Sequence, residues 1–309
     1  MSAAWVAAGV RGRGLLRRRI GRDGAARLAS SPSLEAALAE LEASPYRREA
    51  RQGLDLESAQ WAVSATVLWH LRVLAGWGPP LAAGPLRVLA GPFEIANIVG
   101  HLAQLNGQHQ HSPYDLGSLA TAWATVSRAR SVAEVRAALR SSPWGDPGAD
   151  ELPALRLSLE LAWARRAFDG VPGASEWAIS TAALVIARVV AAGAGASLTP
   201  GAVRDTTHLL GPRWQTTGSI AALVASLPRS AAKTLDGVTD PDDLWLAEVR
   251  WCAALDESGA ALVARPRPDS ATGAGVAAQL EADAWRVRAA LAVAAGGGSS
   301  ESEVLGGVA

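Results

Sequence analysis

Cysteine, lysine, phenylalanine and tyrosine are all scarce in this 309-residue sequence, and each shortage narrows what the protein can be. Cys252 is alone, which excludes an intramolecular disulfide and any metal site built from several cysteines, so we expect a reducing, cytoplasmic setting. Lys233 is the single lysine, so arginine supplies nearly all the positive charge. With two phenylalanines, two tyrosines and 12 tryptophans, tryptophan has to fill the aromatic positions of the core.

A net charge is also lacking. Lys+Arg and Asp+Glu both number 29 and the pI is about 7.0, which gives no reason to expect nucleic acid or another polyanion as a partner. Because 49% of the residues are hydrophobic, the chain can bury one large core or two or three smaller ones.

We expect no membrane span in this sequence. The best candidate begins at Trp177, but it contains Arg188 and is broken at Gly193, Gly195 and Pro200. Fewer apolar residues remain than the roughly 20 that a span needs. We therefore expect this stretch to be a buried core helix.

The N-terminal segment combines a short apolar stretch with a cluster of arginines. In "AAWVAAGVRGRGLLRRRIG" the arginines follow the apolar residues, the reverse of the order in a signal peptide. We expect an ordinary amphipathic helix, with a transit peptide as the alternative. The cluster is a candidate positive patch, or else a solvated helix face. Its members, set against Asp23 alone, are Arg11, Arg13, Arg17, Arg18, Arg19, Arg22 and Arg27.

One short phrase occurs twice, as "SLEAALAELEASPY" at 33–46 and "SVAEVRAALRSSPW" at 131–144. Five of the fourteen positions are identical, where chance gives roughly one or two. Each copy opens on a serine suited to an N-cap, continues with helical apolar spacing, and stops at a Ser-Pro pair before an aromatic residue, Tyr46 or Trp144. Glu134, three residues after Ser131, predicts a capping box in the second copy.

A third copy begins at Ser219 and stops at Pro228. Each copy precedes two long stretches of helical pattern, and strand or hairpin signals are weak, so the sequence predicts an all-α fold. The step of about 90 to 100 residues exceeds a solenoid repeat and indicates triplication of a helical module. We predict modules at 1–112, 113–211 and 212–296, followed by a disordered tail at 297–309.

No catalytic constellation is evident. The sequence contains no P-loop, dinucleotide turn or nucleophile elbow. His109 and His111 can ligate a metal, but two ligands are too few, which favours a solvated loop. Asp242 and Asp243 resemble the aspartates of helical prenyl-chain enzymes, yet they precede an apolar helix whose N-terminus they would stabilise. We expect structural roles for the isolated histidines, which are His70, His101 and His208.

Two polar residues lie in apolar helical stretches. Asn97 is surrounded by apolar residues, and Arg288 lies in the last long helical stretch. A buried polar group must find hydrogen-bond partners. We therefore predict that both have structural roles or contribute to an interface, with a solvated position as the alternative.

Four segments of the chain, at 5–21, 38–50, 92–105 and 281–291, carry a resemblance to motifs of one known family. That family is the C-type central-stalk subunits of V/A-type ATPases, whose eukaryotic relatives are the d-type subunits. The opening "WVAAGVRGRGLLRRRIG" is similar to that family's first helix. "LAELEASPYRREA" resembles its "LxxTxY" segment, "PFEIANIVGHLAQL" its "DxxNLKxxLR" helix, and "EADAWRVRAAL" its "ExEIRNIRxI" motif. The matching residues are Ser44, Tyr46, Glu94, Asn97, Asp283 and Arg288.

The resemblance implies three related three-helix modules with pseudo-threefold symmetry, arranged as a funnel. It also implies a protein without catalysis or cofactor, peripheral on the cytoplasmic face of the membrane. Such a protein couples the central shaft of the catalytic head to the proteolipid ring during proton or sodium transport. We expect Asn97, Arg288, Arg11, Arg17 and Arg18 to be the interface or structural residues.

The chain departs from this family at several positions. Val99 and Ala103 stand where the family usually has Lys and Arg, and Asp283 stands where a glutamate is usual. The alternative function is a helical scaffold or regulatory interaction protein unrelated to rotary motors, and a helical metal-dependent enzyme is a third interpretation.

Overall fold

The computed structural model describes residues 3–79, 82–108, 110–193 and 197–297. Helices make up 73% of the chain and no strand occurs in these ranges, which confirms the all-α prediction. The α-helices are α1 Ala3–Leu16, α2 Gly21–Ala29, α3 Leu34–Leu41, α4 Leu56–Trp77, α5 Ala83–Leu89, α6 Gly91–Leu105, α7 Trp123–Val126, α8 Val132–Arg140, α9 Leu152–Gly170, α10 Ser175–Ala192, α11 Pro200–Leu210, α12 Ile220–Ser226, α13 Arg229–Thr234, α14 Leu244–Val263 and α15 Ser270–Ala295. Short 3₁₀ turns occupy Pro45–Arg48, Gly117–Leu119, Arg213–Thr216 and Pro241–Asp243.

The chain divides into two compact units. The first unit combines Met1–Leu86 with Cys252–Ala309, and the second unit is Arg87–Trp251. The first unit is therefore discontinuous in sequence, whereas the second is one uninterrupted segment. The predicted boundaries of three modules, and their arrangement around an axis, stay predictions.

The three copies of the short phrase begin in the same way. Ser33, Ser131 and Ser219 each have extended backbone angles. The side-chain oxygen of each serine accepts a hydrogen bond from the backbone amide of the residue three positions later, at 3.2 Å. These are N-caps that satisfy one of the free amides of the helix start. The predicted capping box in the second copy has only one of its two hydrogen bonds, the one from the amide of Glu134 to Ser131. The other is wrong, because the Glu134 carboxylate accepts a hydrogen bond from the amide of Arg130 and not from that of Ser131.

The first two copies also end in the same way. The hydroxyl of Ser44 donates to the carbonyl of Leu41 at 2.7 Å and accepts the amide of Tyr46 at 3.1 Å. In the second copy, Ser142 donates to Leu139 at 2.7 Å and accepts the amide of Trp144 at 3.2 Å. The shared sequence thus builds the same local structure, with the aromatic residue turned to the same place after the helix stop.

The short helices pack against long helices in a recurring way. In the second unit, α8 packs against α6 and α12 packs against α10, so each short helix rests on the long helix before it. In the first unit, α3 packs against α15, the last helix of the chain. The sequence repeat groups each short helix with the two long helices that follow it in the chain. In the fold, each short helix also packs against a long helix outside that group.

Helix α10 forms much of the core of the second unit. It is long and apolar enough to cross a membrane by length and composition, and 50% of the stretch is buried in the protein. Its buried run from Ala182 to Ala187 packs with Leu161, Leu209 and Leu223. The prediction of a buried core helix is therefore confirmed for this segment.

Helix α1 is not the amphipathic helix that we predicted. Its buried residues are Gly9 and Gly12, and a Cβ at Gly12 would lie 2.7 Å from a methyl of Val276 on α15. Val6 and Val10 are 41% and 62% exposed. The helix therefore packs by close backbone approach through glycine, a mode that hydrophobic periodicity does not reveal. Of the predicted tail, only Gly297 is among the described residues.

Candidate functional site

A buried carboxylate anchors the second copy of the repeated segment. Glu94 on α6 is 2% exposed, and its Oε1 accepts the backbone amides of Thr121, Ala122 and Trp123 at 2.7–2.8 Å. Its Oε2 accepts the hydroxyl of Thr121 and, at 2.9 Å, the indole Nε1–H of Trp144. One side chain thus satisfies the amides that start α7 and also fixes the aromatic residue after α8.

Arg166 supplies positive charge to this anchor. Its guanidinium lies 4.5 Å from the centroid of the Trp144 ring, a cation–π contact. Burial lowers the pKa of Arg166, and the nearby Glu94 carboxylate opposes that shift. The buried negative charge therefore has a cationic partner across the indole as well as its hydrogen-bond donors.

The first copy has an equivalent anchor. Asp283 on α15 is 2% exposed and accepts the amide of Gly21 at 2.7 Å, the amide of Ile20 at 3.3 Å and the hydroxyl of Tyr46 at 2.9 Å. Burial and the adjacent Asp283 carboxylate raise the pKa of Tyr46, so the phenol stays protonated and donates. Here again a carboxylate on a long helix joins a helix start to the aromatic residue after Ser-Pro.

Within the part of the chain that the structure describes, the third copy lacks both parts of this arrangement. Pro228 is followed by Arg229 instead of an aromatic residue. Ser180 on α10 accepts a hydrogen bond from the hydroxyl of Thr234 at 2.9 Å, but Thr234 ends α13 and lies outside the copy. Two of the three copies therefore share a charged anchor.

Of the predicted interface residues, Asn97 and Arg288 have identified hydrogen-bond partners inside their own units. Asn97 donates from Nδ2 to the carbonyl of Tyr114 at 2.9 Å and accepts the amide of Tyr114 at 2.7 Å. Arg288 donates to the hydroxyl of Ser64 at 3.1 Å and to the carboxylate of Glu281 at 2.8 Å. These bonds give both residues a structural role. A role in binding a partner stays a prediction.

The N-terminal arginines divide into two groups. Arg13 donates to the carbonyl of Val263 at 3.0 Å, and Arg19 forms an ion pair with Asp256 at 2.9 Å, so both hold the first unit together. The exposed arginines form the remaining positive surface of this segment. They are Arg11, Arg17, Arg18, Arg22 and Arg27.

A cavity of about 480 Å³ lies in the first unit, between the end of α1, the turn Pro45–Arg48 and helix α4. We name it the arginine pocket. Its charged lining consists of Arg18, Arg47 and Arg48. The remaining lining residues are Leu15, Pro45, Trp69, His70, Val73 and Trp77.

Two tryptophan rings of the arginine pocket lie under guanidinium groups. Arg48 is 4.6 Å from the Trp69 ring centroid, and Arg11 is 4.8 Å from that of Trp77. Trp77 is nevertheless 48% exposed. The pocket thus combines fixed positive charge with apolar ring surface. Sequence reasoning did not find it, because its lining comes from three separate elements.

His70 lies in this positive surrounding and is 8% exposed. Burial lowers its pKa to about 4, and Arg18 and Arg48 contribute to the shift by repelling the charged form. His70 is therefore neutral at pH 7. Its predicted structural role agrees with this burial and with an edge-on ring contact to Trp69.

We expect His70 to make the protein less stable in mild acid. The pKa of His70 in the folded state lies below the unfolded value of about 6.5, so the unfolded state binds a proton more readily as the pH falls. The stability that neutral His70 preserves is therefore fully present above pH 6.5 and is lost as the pH falls toward 4. Between pH 7.5 and pH 5, wild type should lose roughly 2 kcal/mol more unfolding free energy than His70→Gln. Urea denaturation at both pH values measures this difference. An equal loss in both proteins would contradict the expectation.

Among the described residues, the other sequence candidates do not form a metal centre. His109 lies outside the described residues, and the described ranges contain no group of three or more side chains suited to hold a metal. Asp242 and Asp243 lie in the exposed 3₁₀ turn before α14, where Asp240 caps the turn by accepting the amide of Asp242 at 2.9 Å. His101 contacts the carbonyl of Ala129 at 2.9 Å.

Comparison of the sequence with models of known protein families gives no match, and comparison with curated proteins gives none either.

Proposed function

We propose that this protein is a non-catalytic central-stalk subunit of a V/A-type rotary ATPase. In this role it would couple the shaft of the catalytic head to the membrane proteolipid ring and work on the cytoplasmic side. Such a protein transmits torque through broad protein contacts and needs neither an active site nor a cofactor.

The observation that carries this proposal is the pair of anchors at Glu94 and Asp283. The motif resemblance includes these two acids and Tyr46, three residues far apart in the sequence. In the fold, the two carboxylates have the same contacts. Each accepts hydrogen bonds from a backbone amide at the start of a helix and from the aromatic side chain that follows Ser-Pro. The family motifs thus coincide with a repeated structural device, which supports the resemblance.

A torque-transmitting part must also resist deformation. Buried carboxylates with three or more donors fix the short segments to the long helices, and each broken bond would leave a buried group unsatisfied. Arg11, Arg17 and Arg18 provide exposed positive charge for contact with an acidic partner surface.

The direct test is co-purification. The tagged chain is co-expressed with the shaft and proteolipid-ring proteins encoded in the same genome, and wild type is expected to recover both. The triple variant R11E/R17E/R18E should recover at least tenfold less, because charge reversal opposes docking. R51E/R128E/R229E makes the same charge change at other exposed arginines and should behave as wild type. Failure of wild type to recover either partner would overturn the proposal.

A helical scaffold or regulator is the second candidate, and one observation favours it. Ala103, where the family usually carries a positive charge, is 2% exposed. A charge is therefore not accommodated at this position without rearrangement. If the scaffold function is correct, the chain will recover neither rotary partner, yet it will stay folded and monodisperse in the same preparation.

A further inference from the structure

We propose that the arginine pocket is a binding site for a small amphipathic organic anion, with a carboxylate, sulfonate or phosphate head and a ring-bearing apolar body. This inference goes beyond the coupling function and does not depend on it. The cavity of about 480 Å³ has the size of typical small-molecule sites.

The charge of the pocket favours an anionic head. Arg18, Arg47 and Arg48 line it, and its described lining includes no acidic residue. A counter-charge beside the pocket is Glu49, whose carboxylate lies 3.4 Å from Nε of Arg48. Both of these side chains are exposed, and such pairs contribute little, so Glu49 leaves most of the positive potential in place.

The geometry of Arg48 is suited to hold an anion. Its guanidinium lies over Trp69, with the central carbon 4.6 Å from the ring centroid. This contact limits the rotation of the side chain, and a guanidinium carries its N–H donors in its own plane. A carboxylate, sulfonate or phosphate can accept these hydrogen bonds edge-on.

The rest of the pocket suits an apolar body. Trp69, Val73 and Trp77 lie along one side of α4, and Leu15 lines the pocket from α1. His70 is neutral at pH 7, so it adds no charge to this apolar lining. A bare inorganic anion would leave this apolar surface in water, whereas a ring-bearing anion would cover it.

Comparison with the second copy shows that the pocket is a special feature of the first. Where the first copy has Arg47 and Arg48 after its aromatic residue, the second has Gly145 and Asp146. Asp146 is bound by Arg136 and Arg140, and its pKa is lowered to about 2, first by the amide of Gly148 and then by these arginines. The two copies therefore differ after the aromatic residue, where the first has two arginines and the second has an aspartate whose charge is offset by Arg136 and Arg140.

The long helices differ in the same sense. Counted from the N-cap residues Asp55 and Glu151, Trp69 and Val73 of α4 correspond to Arg165 and Asp169 of α9. Arg165 and Asp169 pair with each other at 2.6 Å. A ring and an aliphatic side chain thus replace an ion pair at the pocket, as an apolar binding surface requires.

The test uses 8-anilinonaphthalene-1-sulfonate, an anionic ring compound that fluoresces when it leaves water. Titration of the full-length protein is expected to show saturable binding at one site. R18Q/R48Q should weaken the Kd at least tenfold, because it removes two of the charges that hold the sulfonate. The matched control R22Q/R27Q removes two charges from exposed arginines outside the pocket and should change the Kd less than twofold.

Two further measurements make the outcome decisive. The uncharged analogue N-phenyl-1-naphthylamine should bind more weakly to wild type and be unaffected by R18Q/R48Q, and inorganic phosphate should compete only at far higher concentration. Thermal unfolding checks that all variants are folded.

Equal binding of the anionic dye to wild type and R18Q/R48Q, or tighter binding of the uncharged dye, would overturn the proposal. Equally strong competition by phosphate would also overturn it, because the apolar surface would then play no part.

Discussion

Glu94→Ala is expected to lower the free energy of unfolding by roughly 4 kcal/mol, because it removes the common acceptor of a buried set of donors. The amides of Thr121, Ala122 and Trp123 and the indole N–H of Trp144 all donate to this carboxylate. In the alanine variant the three backbone amides lose this acceptor, and the indole N–H keeps only the hydroxyl of Thr121, at 2.9 Å. Urea denaturation followed by circular dichroism measures the change.

A graded series separates charge from hydrogen bonding at this position. Glu94→Gln keeps an acceptor for the backbone amides but presents an amide N–H₂ to the Trp144 N–H, so we expect a smaller loss of about 2 kcal/mol. Glu35→Ala, on the exposed side of α3, is the matched control and should change stability by less than about 0.5 kcal/mol. If Glu94→Ala costs less than the glutamine variant, the anchor role is wrong.

Gly275→Ala should destabilise the first unit by about 3 kcal/mol. Gly275 on α15 faces Gly259 on α14, and a Cβ at Gly275 would lie 2.6 Å from the carbonyl oxygen of Gly259 and 2.8 Å from Cβ of Leu262. Both neighbouring atoms are held close to the backbone, so the helices have to separate to admit a methyl group. The midpoint of urea denaturation is the measurement.

The same helix offers the control. A Cβ at Gly273 would meet nothing within 4 Å. Gly273→Ala is therefore expected to stabilise the protein by roughly 0.5–1 kcal/mol, because alanine loses less backbone entropy than glycine in a helix. Similar effects of the two substitutions would show that helix propensity, and not the contact between α14 and α15, decides the outcome at Gly275.

Local sequence signals were sufficient for the short capped helices and their ends. Serine caps, proline stops and apolar spacing predicted α3, α8 and α12, since each signal acts within a few residues. The same kind of reasoning failed for α1, where Gly9 and Gly12 make the contacts and the valines are exposed. Periodicity measures apolar side chains and does not register close packing through glycine.

The anchors and the arginine pocket required tertiary information. Tyr46 and Asp283 are 237 residues apart, and no spacing rule connects them. The motif resemblance marked both residues without saying that they touch. A polar side chain inside an apolar helix, as at Glu94 and Asn97 in "PFEIANIV", is the signal in the sequence that indicates a buried partner.

The discontinuity of the first unit has a consequence for biosynthesis. Gly21 and Tyr46 leave the ribosome early, but their acceptor, Asp283, is translated near the end of the chain. At ordinary elongation speeds the early segment waits roughly 10 to 50 s for its acceptor. Meanwhile Arg87–Trp251 emerges whole and can fold first. Messages cut short before codon 283 would therefore yield chains whose N-terminal segment never acquires its buried acid, which makes them natural targets for proteolytic quality control.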